Sequence, residues 1–326
     1  MYKVQVLLSA YNGEKYIRQQ LDSILAQKDV EISILIRDDG STDSTIDIVN
    51  EYCKTNSDIK LIKGSNMGAC KSFFELFKEA GSGYDYYALS DQDDYWYENK
   101  LSVACNKLSA IDNKENKPLL YCCEADITDE NLQPANKKAE TENLSSENMN
   151  LTSTNSTSGN TSKTFPVKKP GFGNALLENI ARGGSVVFNP TLLGMVRMDA
   201  PTDCYMHDWW LYLIATCYGK AIHDNQAYYK YRQHKNNVLG ASTSKLGILK
   251  RRLSQSKTNK GHVSRQAIAF GEKYEIPDKR MKQLDVIAGY RKSFKQRIRG
   301  LSGKYLYRQS KSDNLVFRLL FLTNHL

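Results

Sequence analysis

The chain has 326 residues, 40% of them hydrophobic, which is enough for one large domain with a smaller appendage. No apolar run approaches the roughly 18 residues of a spanning helix, and the opening MYKVQVLLSAYNGEKY is too short in apolar run for a secretory signal. The formal net charge of +9 conceals a split: residues 1–241 hold 25 Lys+Arg against 31 Asp+Glu, whereas residues 242–326 hold 20 against 5, so the two parts should meet different partners.

The first 130 residues alternate. Apolar, β-branched runs at Val4–Ser9, Ile32–Arg37, Ile59–Ile62, Tyr86–Leu89 and Leu119–Cys123 predict strands. Between them, Tyr16–Ala26, Thr45–Cys53, Ala69–Ala80 and Asn99–Ile111 carry helical spacing. This order predicts an α/β fold with a mostly parallel sheet covered on both faces, whose ligands bind at the carboxyl ends of the strands. Polar clusters sit at those ends: SAYN, DDGS, GSNMG and SDQDD.

Residues 135–165 are rich in Asn, Ser, Thr and Glu and read as a disordered insertion, because so few apolar side chains cannot offset the entropy of ordering. Patterning resumes with a short helix at Ala175–Ile180, a strand in GGSVVFN and a helix in HDWWLYLIATCYG that ends at Gly219. The stretch AIHDNQAYYKYRQHKNNVLG is aromatic, then polar. Basic helices are expected near Leu246–Leu253, Val263–Tyr274, Lys282–Leu301 and Leu315–Leu322. The seven cysteines form no CxxC pair or Cys/His cluster, so they read as reduced, small core residues rather than a zinc site.

Two acids of SDQDD, Asp91 and Asp93, form a D-x-D at a strand end, a geometry that suits a hard divalent cation; the alternative is a solvated turn. Asp38 and Asp39 end the second strand with more acid than capping needs, and a carboxylate there could meet a base or a ribose. The chain lacks G-x-G-x-x-G, and GSNMGACKS departs from the phosphate-loop spacing, so a bound phosphate would be met by something other than a glycine cradle, and a metal on the D-x-D would do this. Asp208 reads either as a helix cap or as a general base, and Trp209 and Trp210 as core or cleft residues.

The ordered set Leu8–Asn12, Asp38–Ser41, Asn66–Gly68, Asp91–Asp94, Gly183–Ser185, His207–Trp210 and Tyr231–His234 resembles the family 2 glycosyltransferases, and its HDWW and YRQHxxNVxG pieces are similar to the bacterial rhamnosyltransferase-like branch. The resemblance covers about residues 3–241 and implies the GT-A fold, a Rossmann-like sheet, with residues 242–326 as a basic helical extension. It implies an inverting transferase that moves a sugar from dTDP-rhamnose or a UDP-sugar to a lipid-linked bacterial surface glycan. By position, Tyr11, Asn12, Asp39, Asn66, Gly68, Asp91 and Gln92 would lie at the donor nucleotide. Asp93, Asp91 and His234 would hold Mg2+ or Mn2+, with His223 the weaker histidine candidate. Asp208 would be the general base, and Gly184, Ser185, His207, Trp209 and Trp210 would lie near the donor sugar or acceptor. Ala10 stands where the family usually has proline. A nucleotidyltransferase and a non-catalytic nucleotide-sugar or glycan-binding protein remain the alternatives. The basic tail would contact an anionic inner membrane surface rather than nucleic acid, placing the protein in the cytoplasm at the plasma membrane.

Overall fold

The computed structural model describes residues 1–134, 168–234 and 261–324. The insertion expected at 135–165 and the helix expected at Leu246–Leu253 lie outside the described residues.

Eight strands form one sheet: β1 (Tyr2–Ala10), β2 (Val30–Asp38), β3 (Ile59–Lys63), β4 (Tyr86–Asp91), β5 (Tyr95–Trp96), β6 (Leu119–Thr128), β7 (Val187–Phe188) and β8 (Lys220–Arg232). Their order is β3-β2-β1-β4-β7-β6-β8-β5. The β3-β2-β1-β4 half is parallel, β6 and β8 pair parallel, and β7 runs antiparallel between β4 and β6. This is the mostly parallel α/β sheet that the alternation predicts.

Successive strand residues face opposite sides of the sheet. Val6 and Leu8 therefore pack with α1 (Ile17–Leu25) and α4 (Lys100–Ser109), through Leu21 and Leu101 among others. Leu7, Leu35 and Leu89 pack on the other face with α3 (Ala69–Glu79). That second core also takes in α7 (His207–Tyr218) and the C-terminal α8 (His262–Lys273), α9 (Asp278–Gly289) and α11 (Lys311–Leu322). The basic extension is thus joined to the sheet by shared apolar packing, with Trp210 of α7 meeting Phe270 of α8 edge-on at 5.5 Å.

Several elements differ from expectation. The helical turn α5 occupies Phe172–Ala175 rather than Ala175–Ile180. The Asn179 side chain accepts from the Ala181 N–H, a local bond that competes with helix propagation. The expected helix Lys282–Leu301 is two helices, α9 and α10 (Phe294–Gly300), because Ser293 caps a new start by accepting from the Gln296 N–H. In GGSVVFN a single 3₁₀ turn at Gly183–Ser185 precedes only two strand residues. Three elements were not expected: β5, the long β8, and α6 (Pro190–Val196), which Asn189 caps with proline at its start.

Candidate active site

The strand ends converge between parallel β1 and β4, where the order of successive strands reverses, with β2 and β3 on one side of β1 and β4 on the other, the place in such sheets where ligands bind. Ser9 is opposite Asp91 and Ala10 opposite Asp38. The loop after β1 is fixed by its neighbours. Asn12 has a φ of +47°, a conformation that asparagine adopts more readily than most residues. Its N–H donates to Ser41 Oγ at 2.9 Å, and its Oδ1 accepts from the Thr42 N–H at 2.8 Å. The Gln92 amide clips both backbone groups of Tyr11, at 2.8 and 2.9 Å, which ties the first loop to SDQDD. The Tyr11 side chain is left exposed at the cleft edge.

Asp38 and Asp39 have different partners. Asp38 accepts from the N–H groups of Gly40 and Ser41 and from the Ser41 hydroxyl, so it builds the turn. Asp39, expected at the base, is 2% exposed. Its oxygens accept from Arg37 at 2.5 Å and from the N–H groups of Met67 and Gly68. Its carboxylate therefore holds the Asn66–Gly68 loop, and direct contact with a base would compete with these bonds. Gly68 has a φ of +82°, which favours glycine, and it is exposed together with Asn66.

The acids of SDQDD crowd one another. Burial first, then the charges of Asp93 and Asp208, push the Asp91 carboxyl up to about 7. Burial first, then the charges of Asp93 and Asp91, raise Asp94, which has no solvent exposure. Lys100 is also fully buried, its ammonium 3.5 Å from the centre of the Trp96 ring, and burial lowers it to about 8.

His234 Nε2 lies 2.7 Å from Asp93 Oδ2, so the structure joins these two expected ligands from opposite ends of the sequence. Tyr16 packs against the His234 ring at 4.8 Å and under the Arg232 guanidinium at 4.5 Å, and Arg232 Nε donates to the Asp93 carbonyl at 2.8 Å. His223 is elsewhere, 3.3 Å from Glu124. Among the described residues no group of three His, Cys, Asp or Glu side chains forms a closed metal cage. The donor set nevertheless suits a hard cation: two mutually repelling carboxylates, one already paired with an imidazole.

Asp208 begins α7 and is 5% exposed. Burial raises its carboxyl to about 6, against hydrogen bonds from the N–H groups of Trp209 and Gly183 and from the Asn179 side chain. That value suits a proton acceptor working near neutrality. Gly183 borders both acids: a Cβ there would be 3.5 Å from His207 Nε2, 3.7 Å from Asp208 Oδ2 and 3.7 Å from Asp91 Oδ2. The missing side chain keeps a gap about one methyl wide between a candidate base and the acid cluster. The sequence places Gly183 in the family motif but points to a site role only for Gly184 and Ser185, because the place of Gly183 depends on distant segments meeting.

Gly184 instead makes room for a core acid, since a Cβ there would fall 2.3 Å from Asp94 Oδ2. The Ser185 hydroxyl donates to the Arg182 carbonyl at 2.7 Å and shapes the turn. His207 stacks on Phe73 at 3.7 Å, and burial lowers it to about 3, so it is a neutral wall. Both tryptophans face the interior: Trp209 Nε1 donates to the Ala175 carbonyl at 2.6 Å and Trp210 Nε1 to the Tyr274 hydroxyl at 3.3 Å. Arg182 was passed over. It is exposed beside Gly183, near enough to Tyr229 and Tyr231 to stabilise their phenolates, and it is in no ion pair among the described residues.

The model of the family described as glycosyl transferase family 2 matches residues 5–168. The chain is 31% identical over 242 residues to the dTDP-rhamnosyl transferase RfbG of Shigella flexneri, covering 73% of this chain and 75% of that protein. An uncharacterized glycosyltransferase of Rickettsia typhi is 33% identical over 119 residues, 36% of this chain and 35% of that one. Among solved structures, S. aureus TarS 1-349 in complex with UDP-GlcNAc aligns with 99% of this chain and 80% of its own, with a TM-score of 0.55 and 16% identity. The mannosyltransferase PcManGT of Pyrobaculum calidifontis, in complex with GDP-Man and Mn2+, aligns with 99% and 85%, with a TM-score of 0.53 and 15% identity. At these identities the two structures speak to fold alone.

Proposed function

The chain belongs to glycosyl transferase family 2, and on that premise we propose that it transfers a sugar with inversion from a nucleoside diphosphate donor, dTDP-rhamnose foremost, to a lipid-linked bacterial surface glycan. Family membership takes the place of the nucleotidyltransferase reading. The observation that carries the proposal is the gap at Gly183 between Asp208 and Asp91. A base on one side of a donor site and an acid cluster on the other is what a single in-line displacement requires.

Asp208, held by backbone N–H groups, would take the proton of the acceptor hydroxyl as that oxygen attacks the anomeric carbon. Tyr11, Asn12 and the Asn66–Gly68 loop would border the nucleotide, with Gln92 and Asp39 holding those loops in place. Asp93 and Asp91, with His234, would hold Mg2+ or Mn2+, which when bound offsets the charge that develops on the leaving diphosphate. Exposed Arg182 would add a fixed positive charge on the same side. The Rickettsia relative is uncharacterized and the TarS and PcManGT structures speak to fold alone, so the choice of dTDP-rhamnose rests on the name of the Shigella relative. Among the described residues no helix is long and apolar enough to cross a membrane. A lipid-linked acceptor would be met at the cytoplasmic surface of the inner membrane, whose anionic lipids would attract the basic C-terminal region.

The test is nucleotide release from dTDP-rhamnose and from UDP-hexoses with membrane-extracted acceptor, followed by the anomeric coupling of the product. Release from dTDP-rhamnose with inverted configuration is expected. Release from UDP-sugars alone would refute the donor, and retained configuration would refute the single displacement.

A further inference from the structure

Eleven large hydrophobic side chains are exposed among the described residues, and five of them fall within 26 residues of the C-terminal region: Phe294, Ile298, Leu315, Val316 and Leu319. Their placement is periodic. In α11, Phe317 and Phe321 are buried, and Phe321 stacks on Tyr290 at 4.6 Å. Leu315 and Leu319 are each two residues from a buried phenylalanine, hence about 200° round the helix on its outer side. They are 62% and 57% exposed. A helix apolar on two opposite sides has one side without a partner. In α10 the same division recurs: Gly300 faces inward, where a Cβ would strike the Phe321 ring, while Phe294 and Ile298, one turn apart, are 65% and 49% exposed.

The charge around these stripes has one sign. Residues 290–324 contain nine Lys and Arg and a single acid, Asp313. Lys292, Lys295, Arg299, Lys304, Lys311 and Arg318 are exposed, and none is in an ion pair among the described residues. On the α11 wheel, Lys311 and Arg318 both lie beside Leu315, on one edge of the Leu315–Leu319 stripe, where lysine and arginine can reach headgroup phosphates with their stems on apolar ground.

We propose that α10 and α11 form a docking surface for an anionic lipid bilayer, with Leu315 and Leu319 as the anchor and the surrounding cations on the headgroups. This deepens the membrane location proposed above and rests on that reading. Nucleic acid would satisfy the cations but not five exposed aliphatic and aromatic side chains. A second copy of the chain would set two strongly basic faces against each other. A bilayer with anionic headgroups satisfies both features.

The experiment is co-sedimentation of the full chain with large vesicles, without donor or acceptor. Vesicles of phosphatidylcholine with 30% phosphatidylglycerol are compared with phosphatidylcholine alone, as a chosen probe composition of about that anionic content. The proposal expects binding to the anionic vesicles that falls at least tenfold on pure phosphatidylcholine and at least tenfold in Leu315→Ser/Leu319→Ser. A second variant, Lys311→Glu/Arg318→Glu, leaves the apolar stripe intact and should also lose anionic binding. Circular dichroism spectra and melting temperatures identical to the parent confirm that either variant is folded. Equal binding by the folded leucine variant, or binding to duplex DNA that vesicles do not displace, would overturn the proposal. So would a parent dimer by light scattering that the leucine variant converts to monomer. Nucleotide release on a soluble acceptor, measured on the same variants, should be unchanged, so failure of the transferase reading and failure of this surface give different results.

Discussion

Two adjacent glycines should respond to the same substitution in opposite ways. At Gly183 an added Cβ would find its nearest neighbours at 3.5–3.7 Å, ordinary van der Waals distances, and its φ is outside the left-handed region. Alanine should therefore fold without strain, and the lower chain entropy of the unfolded state should leave stability equal or raised by about 0.4–1 kcal/mol. The new methyl would nevertheless stand beside both Asp208 and Asp91, where the proposed reaction would bring the acceptor oxygen and the anomeric carbon together. Displacement of reacting groups by about 1 Å costs on the order of 100-fold. At Gly184 the added Cβ would fall 2.3 Å from Asp94 Oδ2 and 3.2 Å from the Tyr229 ring, and both residues are buried. Overpacking of this kind costs about 1–3 kcal/mol. Each kcal/mol lowers the melting temperature by about 2–4 °C in a domain of some 200 residues, and less in a larger one. The assays are differential scanning fluorimetry and nucleotide release at saturating donor. Gly183→Ala should melt with the parent and lose about 100-fold in kcat, whereas Gly184→Ala should melt several degrees lower. Full activity in Gly183→Ala would refute the gap as the reaction site, and a melting point as low as that of Gly184→Ala would refute the steric reasoning.

Asp208→Asn should bind donor as the parent does yet lose roughly 10²–10⁴ in kcat, the usual contribution of a general base, with calorimetry and nucleotide release as the two measurements. Burial raises the Asp208 carboxyl to about 6, so it is ionised and able to accept a proton above that pH and neutral below it. The rate should therefore fall about tenfold per pH unit below 6, measured as kcat/KM on the parent under constant ionic strength; a profile flat down to pH 4.5 would contradict the role.

Much of the parallel half was legible because each of β1, β2 and β4 is mainly apolar, broken only by single polar residues such as Gln5 and Ser33, with a polar turn at its end. The acids were visible for the same reason: where a buried strand stops in Asp91, Asp93 and Asp94, water or a cation must account for them. The remaining strands were harder to read. β5 is two residues long and has no period to detect. β8 pairs with β6 through register shifts around Glu124, so its side-chain alternation slips partway along. α6 did carry a readable start, asparagine before proline, which the reading overlooked. The site divides similarly. His234 could be proposed from its motif, but its 2.7 Å approach to Asp93 depends on β5, which follows Asp93, pairing with β8. Asp39 and Gln92 look like ligand residues in sequence, yet each is engaged in holding a loop. Trp209 and Trp210 follow the candidate base directly, but a helix turns consecutive residues by about 100°, which sends both indoles into the core.

The central claim is that the acids at the β4 end hold a cation and, with it, a nucleoside diphosphate. Isothermal titration of the parent and of Asp93→Ala with dTDP and with UDP, each in Mn2+ and in EDTA, tests it most directly. The account predicts that the parent binds dTDP in Mn2+ at least tenfold more tightly than in EDTA, and that Asp93→Ala abolishes the difference. Binding of equal strength in EDTA, or a metal effect that survives in Asp93→Ala, would contradict it.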